Sequence, residues 1–197
     1  VNLISTIRPG TVLDIGKGFG KYGFLLHEYI GIDSKKRLDP SKKMKEQSNI
    51  SIDAVEVDPD LMLPHLDHFY NKIHFGNVLE IYKQLPRYEL IIMIDIIEHI
   101  EKAATIPMLQ HFLSQGSSVL ISTPLDFFEQ KLYESEYENH VSHWTKKDFE
   151  GLATVQVQYF GDGAVYFVSR QQKNLGSFGN GLSKKIKRVL RAVKNEL

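Results

Sequence analysis

The sequence has no cysteine. Disulfides, thiolate metal sites and cysteine nucleophiles are thereby excluded, and the composition suits a reducing, cytoplasmic setting. It has no net charge either: 24 basic and 24 acidic residues balance over 197 positions. A balance of that kind speaks against a polyanion-binding surface spread over the whole chain, so nucleic acid is not an expected partner. Long hydrophobic runs are missing as well. The longest, Leu90 to Ile100, is interrupted by Asp95, Glu98 and His99, and it falls far short of the roughly 20 residues that a spanning helix requires. No secretory signal, internal repeat or low-complexity segment is read.

What is present is an ordinary globular composition in a chain long enough for one substantial core. The zero net charge conceals an asymmetry. Lys184, Lys185, Lys187, Arg188, Arg191 and Lys194 face only Glu196 at the C-terminal end. Leu182, Ile186, Val189, Leu190, Val193 and Leu197 interleave with them at helical spacing, as in a basic amphipathic helix. Two units are expected: a domain over residues 1–170 and a basic tail over 171–197, joined across the glycines at 176–181. The tail can lie against an anionic membrane surface or a protein partner, or dock on its own domain. The sequence leaves the oligomeric state open.

The densest local signal is Val12-Leu13-Asp14-Ile15-Gly16-Lys17-Gly18-Phe19-Gly20. An apolar strand ends near a carboxylate, three glycines follow at alternate positions, and a helical pattern starts at Lys21. Glycine admits positive φ and lets a ligand approach where a Cβ would stand. Such a turn delivers that ligand to the unpaired N–H groups of a helix start. Residues 12–23 thus read as a nucleotide-type cofactor turn.

Strand-like and helical segments alternate after it. Strands are expected at 12–15, 52–57, 72–75, 88–95 and 118–122, with helices over 21–29, 60–70, 78–84 and 97–113, the last kinked at Pro107. Residues 31–50 read as a polar insertion. Thr145 and Asp148 form a capping-box pattern, and 155–160 with 164–169 read as a terminal hairpin. The expected fold class is α/β: a doubly wound, mainly parallel seven-stranded sheet closed by a C-terminal antiparallel hairpin. Ligands in such sheets bind beyond the carboxyl ends of the strands. Asp14, Glu56, Asn77 and Asp95 all fall at or just past those ends.

Gly18 to Gly23 also satisfies G-x-G-x-x-G, which by itself is weak evidence for a dinucleotide. Asp14 discriminates further. A carboxylate ahead of the glycines would crowd a pyrophosphate and suits a cationic ammonium or sulfonium group. Each residue retains a structural alternative. Asp14 can cap the glycine turn, Asn77 can cap the following helix, and His99 can be a packing residue. Asp95 inside an apolar run is harder to place structurally, because a buried unpaired charge is costly. His140 and His143 either orient their loop or take a proton from an attacking group. A metal set made of His140, His143 and a carboxylate is the weaker reading, and no metal is expected.

Asp14-x-Gly16-x-Gly18-x-Gly20 resembles motif I of the class I S-adenosylmethionine-dependent methyltransferases. The likeness continues in order. Ala54 to Pro59 resembles the second-strand motif, Gly76-Asn77-Val78 the adenine turn, Tyr88 to His99 the fourth-strand motif, and Val119 to Pro124 the fifth strand. His140 to Thr145 resembles a segment near the acceptor pocket of many small-molecule and sugar methyltransferases. Lys17 departs from the family, which often has a small residue there. The resemblance implies S-adenosyl-L-methionine as cofactor. It places Gly16, Gly18 and Gly20 against it, Asp14 near its methionine end, Glu56 on the ribose, Asn77 and Val78 at the adenine, and Asp95 beside the methyl group. His143, His140 and His99 become the catalytic candidates. The implied activity is methyl transfer to an O or N nucleophile of a small molecule, sugar or glycan. Two rivals stand beside it: an NAD(P)-dependent oxidoreductase, and a cofactor-binding partner subunit without turnover.

Overall fold

The structure is a computed structural model, and it describes residues 2–33, 35, 37–126, 137 and 139–171. The basic tail, the joint before it and the aromatic residues Phe127, Phe128 and Tyr133 lie outside the described residues.

Seven strands form one sheet: β1 (Thr11–Ile15), β2 (Ser51–Glu56), β3 (Lys72–Phe75), β4 (Leu90–Ile94), β5 (Ser118–Pro124), β6 (Thr154–Phe160) and β7 (Gly163–Ser169). Their spatial order is β3-β2-β1-β4-β5-β7-β6. The first five run parallel, and β7 pairs antiparallel with both β5 and β6. The expected α/β architecture is observed, hairpin included. Gly161, with φ 54°, makes the two-residue hairpin turn.

The central strands are apolar on both faces because both faces are covered. Leu13, Ile15, Ile91, Met93, Val119 and Ile121 point into one core with Met108, Phe112, Trp144 and Phe149. Val12, Ile52, Leu90, Ile92 and Leu120 point into the other, with Leu26, Leu66 and Tyr70. The helices are α1 (Asn2–Ile7), α2 (Lys21–Leu26), α3 (Val78–Ile81), α4 (Lys102–Ser114) and α5 (Lys146–Glu150). Thr145 and Asp148 close the expected capping box at α5.

Three helical expectations are corrected. The helix expected over 21–29 is α-helical only to Leu26 and ends in a wider π turn over His27–Gly31. The span 60–70 holds two short 3-10 turns, Pro59–Leu61 and Pro64–His68. Pro64 explains the break, since it forces the preceding Leu63 into an extended conformation. The span 97–113 does not kink at Pro107, which sits inside α4. It divides earlier, into a 3-10 turn at Ile97–His99 and α4 from Lys102. The carbonyls of Ile97, Glu98 and Ile100 are taken there by groups of the 141–144 segment, which competes with helical bonding.

Candidate functional site

The sheet order reverses at β1, between β2 and β4, and a cavity of about 520 Å³ opens beyond the carboxyl ends of these three strands. Its floor is the glycine turn. Gly16 has φ 72°, and a Cβ there would run into the Ile96 side chain, so a larger residue would strain the backbone and displace Ile96. Gly18 has φ 50°, and a Cβ on it would meet nothing within 4 Å. That open space is where a ligand can approach the backbone.

Glu56, at the end of β2, is buried and tied to the turn. Its Oε2 accepts from the Gly18 N–H at 3.2 Å, and its Oε1 from the N–H groups of Val57 and Asp58 at 2.9 and 3.1 Å. A carboxylate offers about four acceptor positions, so acceptor capacity remains for a ligand hydroxyl. Lys17 supplies the nearest cation: its buried ammonium lies 3.7 Å from Glu56 Oε2 and donates to the Leu61 carbonyl at 2.7 Å. Burial lowers the Lys17 pKa, and the Glu56 charge opposes that shift.

Asp14 sits beneath the turn, only 1% exposed. The Tyr70 hydroxyl donates to its Oδ2 at 2.6 Å and accepts from the Gly23 N–H at 3.2 Å. Burial pushes the Asp14 carboxyl from 3.8 up to about 7, while the Tyr70 hydrogen bond and the Lys17 charge pull the other way. Asn77 caps α3, its Oδ1 accepting from the Leu79 N–H at 3.0 Å.

Asp95 follows β4 with φ 55°, a left-handed conformation that aspartate adopts more readily than most side chains. The Ser122 hydroxyl donates to its Oδ1 at 2.9 Å. The sequence places this charge in an apolar run, yet the residue is exposed because β4 ends just before it. Within this run the buried acid is Glu98. Burial pushes its carboxyl up to about 7 and the Asp95 charge adds to the effect, against hydrogen bonds from its own N–H and the Thr123 hydroxyl.

The segment after residue 139 is sewn onto this same corner. The N–H groups of Val141 and Ser142 donate to the Glu98 carbonyl at 2.9 and 3.0 Å, and Ser142 Oγ donates to the Ile100 carbonyl at 2.8 Å. The Trp144 indole N–H reaches Ser142 Oγ at 2.7 Å and the Ile97 carbonyl at 3.0 Å. This stitching sets the His140 ring against that of His99, centroids 4.9 Å apart. His99 Nδ1 faces the Asn139 carbonyl at 3.1 Å. A carbonyl only accepts, so Nδ1 carries the proton and the neutral ring keeps its lone pair on Nε2.

Of the residues singled out from the sequence, Gly16, Gly18, Glu56, Asn77, Val78, Asp95 and His99 line the cavity together. Asp14, Gly20, His140 and His143 do not. His143 donates from Nε2 to the Leu125 carbonyl at 2.7 Å, which ties the ring to the loop after β5. Three contributors were not legible as such: Lys17 as the partner of Glu56, Tyr70 as the partner of Asp14, and Glu98. Only Glu98 carried a signal, as one of the charges that interrupt the apolar run from Leu90 to Ile100.

No protein-family model matches the sequence, and no curated protein matches it. Solved structures do. The methyltransferase domain of bacterial CtHen1 superposes with a TM-score of 0.54 at 18% identity, over 85% of this chain and 93% of that one. A SAM-dependent methyltransferase from Archaeoglobus fulgidus matches with a TM-score of 0.52 at 19% identity, over 77% and 64%. An O-methyltransferase family protein from Burkholderia thailandensis matches at 0.53 and 12%, over 85% and 52%. The chain has the class I methyltransferase fold.

Proposed function

We propose that this protein is an S-adenosylmethionine-dependent methyltransferase acting on an O or N nucleophile of a small molecule, sugar or glycan. The observation that carries the reading is the cavity shared by the bare Gly18 backbone, the Glu56 carboxylate, the Asn77 turn and Asp95. These residues fit an adenosyl group: an open backbone for the amino-acid arm, an acceptor for ribose hydroxyls, and Val57, Leu61, Val78 and Leu79 as apolar surface for a base. The cofactor supplies a methyl group on a sulfonium sulfur, a good leaving group. The chain's own part is to bind, orient and exclude water. Glu56 holds the ribose, Asp95 contributes negative charge beside a cationic ligand, and His99, Tyr137 and Val141 line the acceptor end.

Calorimetric titration with S-adenosylhomocysteine and, separately, NADH tests the reading. S-adenosylhomocysteine is expected to bind and NADH not. Glu56→Ala should weaken S-adenosylhomocysteine about 10- to 100-fold, as expected for lost hydrogen bonds to a charged group. Binding of NADH alone would overturn the methyltransferase reading in favour of an oxidoreductase.

A further inference from the structure

We propose that Glu98, His99 and His140 bind a divalent transition-metal cation at the acceptor end of the cavity, where its open positions take oxygen atoms of the acceptor. One ligand atom from each of the three side chains lies within 4.8 Å of the others. A second observation is independent of that clustering. Glu98 is 3% exposed, and its Oε2 is a buried oxygen with no hydrogen-bond partner among the described residues. A buried acceptor without a donor is costly, and a cation satisfies it.

The histidines are prepared for the same role. The Asn139 carbonyl holds the His99 Nδ1 proton, which leaves Nε2 as the donor atom. That is how metal-binding imidazoles are commonly fixed in tautomer and orientation. His140 is brought to the cluster by backbone bonds from the next two residues to the Glu98 carbonyl. The three ligands come from two segments locked together, so the site is built before any ion arrives.

Ligand chemistry selects the ion. Two imidazoles and one carboxylate, with no thiolate available, suit Zn²⁺, Co²⁺, Fe²⁺ or Mn²⁺ rather than Ca²⁺ or Mg²⁺, which prefer all-oxygen shells. Tetrahedral coordination with bonds of about 2.1 Å puts ligand atoms about 3.4 Å apart. Three protein ligands leave at least one position open. His99 is the ligand that lines the cavity, beside Asp95 and Val141, so the ion's open position can face the proposed cofactor cavity from that side. A bound hydroxyl oxygen loses its proton to solvent more readily than a free one. The assignment of acceptor oxygen as the further ligand rests on the methyltransferase reading; the cation site itself does not.

The test is titration of the full-length protein, stripped with chelator, with Co²⁺, followed by calorimetry and by the visible absorption of the bound ion. One equivalent should bind, and His140→Ala and His99→Ala should each weaken it at least about 10-fold, the smallest loss seen when only outer-shell groups are changed. Glu98→Gln, which keeps the shape of the buried side chain, should weaken it as well, and His111→Ala on α4 should not. No saturable binding by the wild type, or binding unchanged in both His99→Ala and His140→Ala, would overturn the proposal. S-adenosylhomocysteine titration of the chelator-stripped protein separates the two ideas. Its binding without Co²⁺ binding refutes the cation site alone, and Co²⁺ binding without it refutes the methyltransferase reading alone.

Discussion

Asp14 is the residue whose ionisation couples the glycine turn to the stability of the protein. Its carboxyl is held near 7 when folded against 3.8 ordinarily, chiefly by burial. Between those values the folded state binds more protons than the unfolded one, so the Asp14 contribution favours folding at low pH and is lost as pH rises through 7. The full difference is roughly 4 kcal/mol for the ionised form. Asp14→Asn keeps a side-chain acceptor for Tyr70 and cannot ionise. Its stability relative to wild type should therefore rise between about pH 4 and 7 and level off above, measured by urea unfolding at a series of pH values. A flat difference would show that the carboxylate is charged throughout. The same residue shows what the sequence could and could not convey. The position of Asp14 ahead of three glycines was readable, because strand, acid and turn are adjacent in the chain. Its partner Tyr70 was not, since 56 positions separate the two and nothing local marks the pairing.

At the scale of elements, the corner where 140–144 meets 97–100 sets the acceptor end of the cavity. Ser142 is its pivot, donating to a carbonyl of the 97–100 turn and accepting from Trp144. Trp144 is the only tryptophan in the chain and is fully buried, stacked on Phe149 at 5.3 Å. Its fluorescence therefore reports this junction alone. Ser142→Ala removes the hydroxyl that donates to the Ile100 carbonyl and leaves the indole N–H on the Ile97 carbonyl alone, and should cost about 1–3 kcal/mol, with the Trp144 emission shifted to the red. Unchanged emission and stability would show that the junction is held by its backbone bonds. The strands were legible to within two residues at most ends, because a buried parallel sheet writes itself as apolar runs between breakers. The span 60–70 was not. Pro59 and the acidic residues beside it are helix-start signals, but a second proline five residues on converts one helix into two turns. His143 was misleading for a related reason. Its pattern with His140 pointed to one pocket, whereas the irregular backbone between them sends the two rings to different neighbours.

For the whole molecule, one continuous sheet carries both cores and every strand that borders the cavity. β1 lies between β2 and β4, so the glycine turn, Glu56 and Asp95 are held by strands that cannot separate without opening the centre of the fold. Heating should therefore give a single cooperative transition for the described domain. Ligand at that edge then stabilises the entire sheet rather than a local loop. S-adenosylhomocysteine at 100 times its dissociation constant should add about 2.7 kcal/mol. For a domain of this size that corresponds to a rise in Tm of about 5–10 °C. Scanning calorimetry with increasing ligand checks both statements. Glu56→Ala should need proportionately more ligand for the same rise. Two separated transitions, only one of them shifted by ligand, would show that the β6–β7 hairpin or the tail unfolds apart from the strands that form the site.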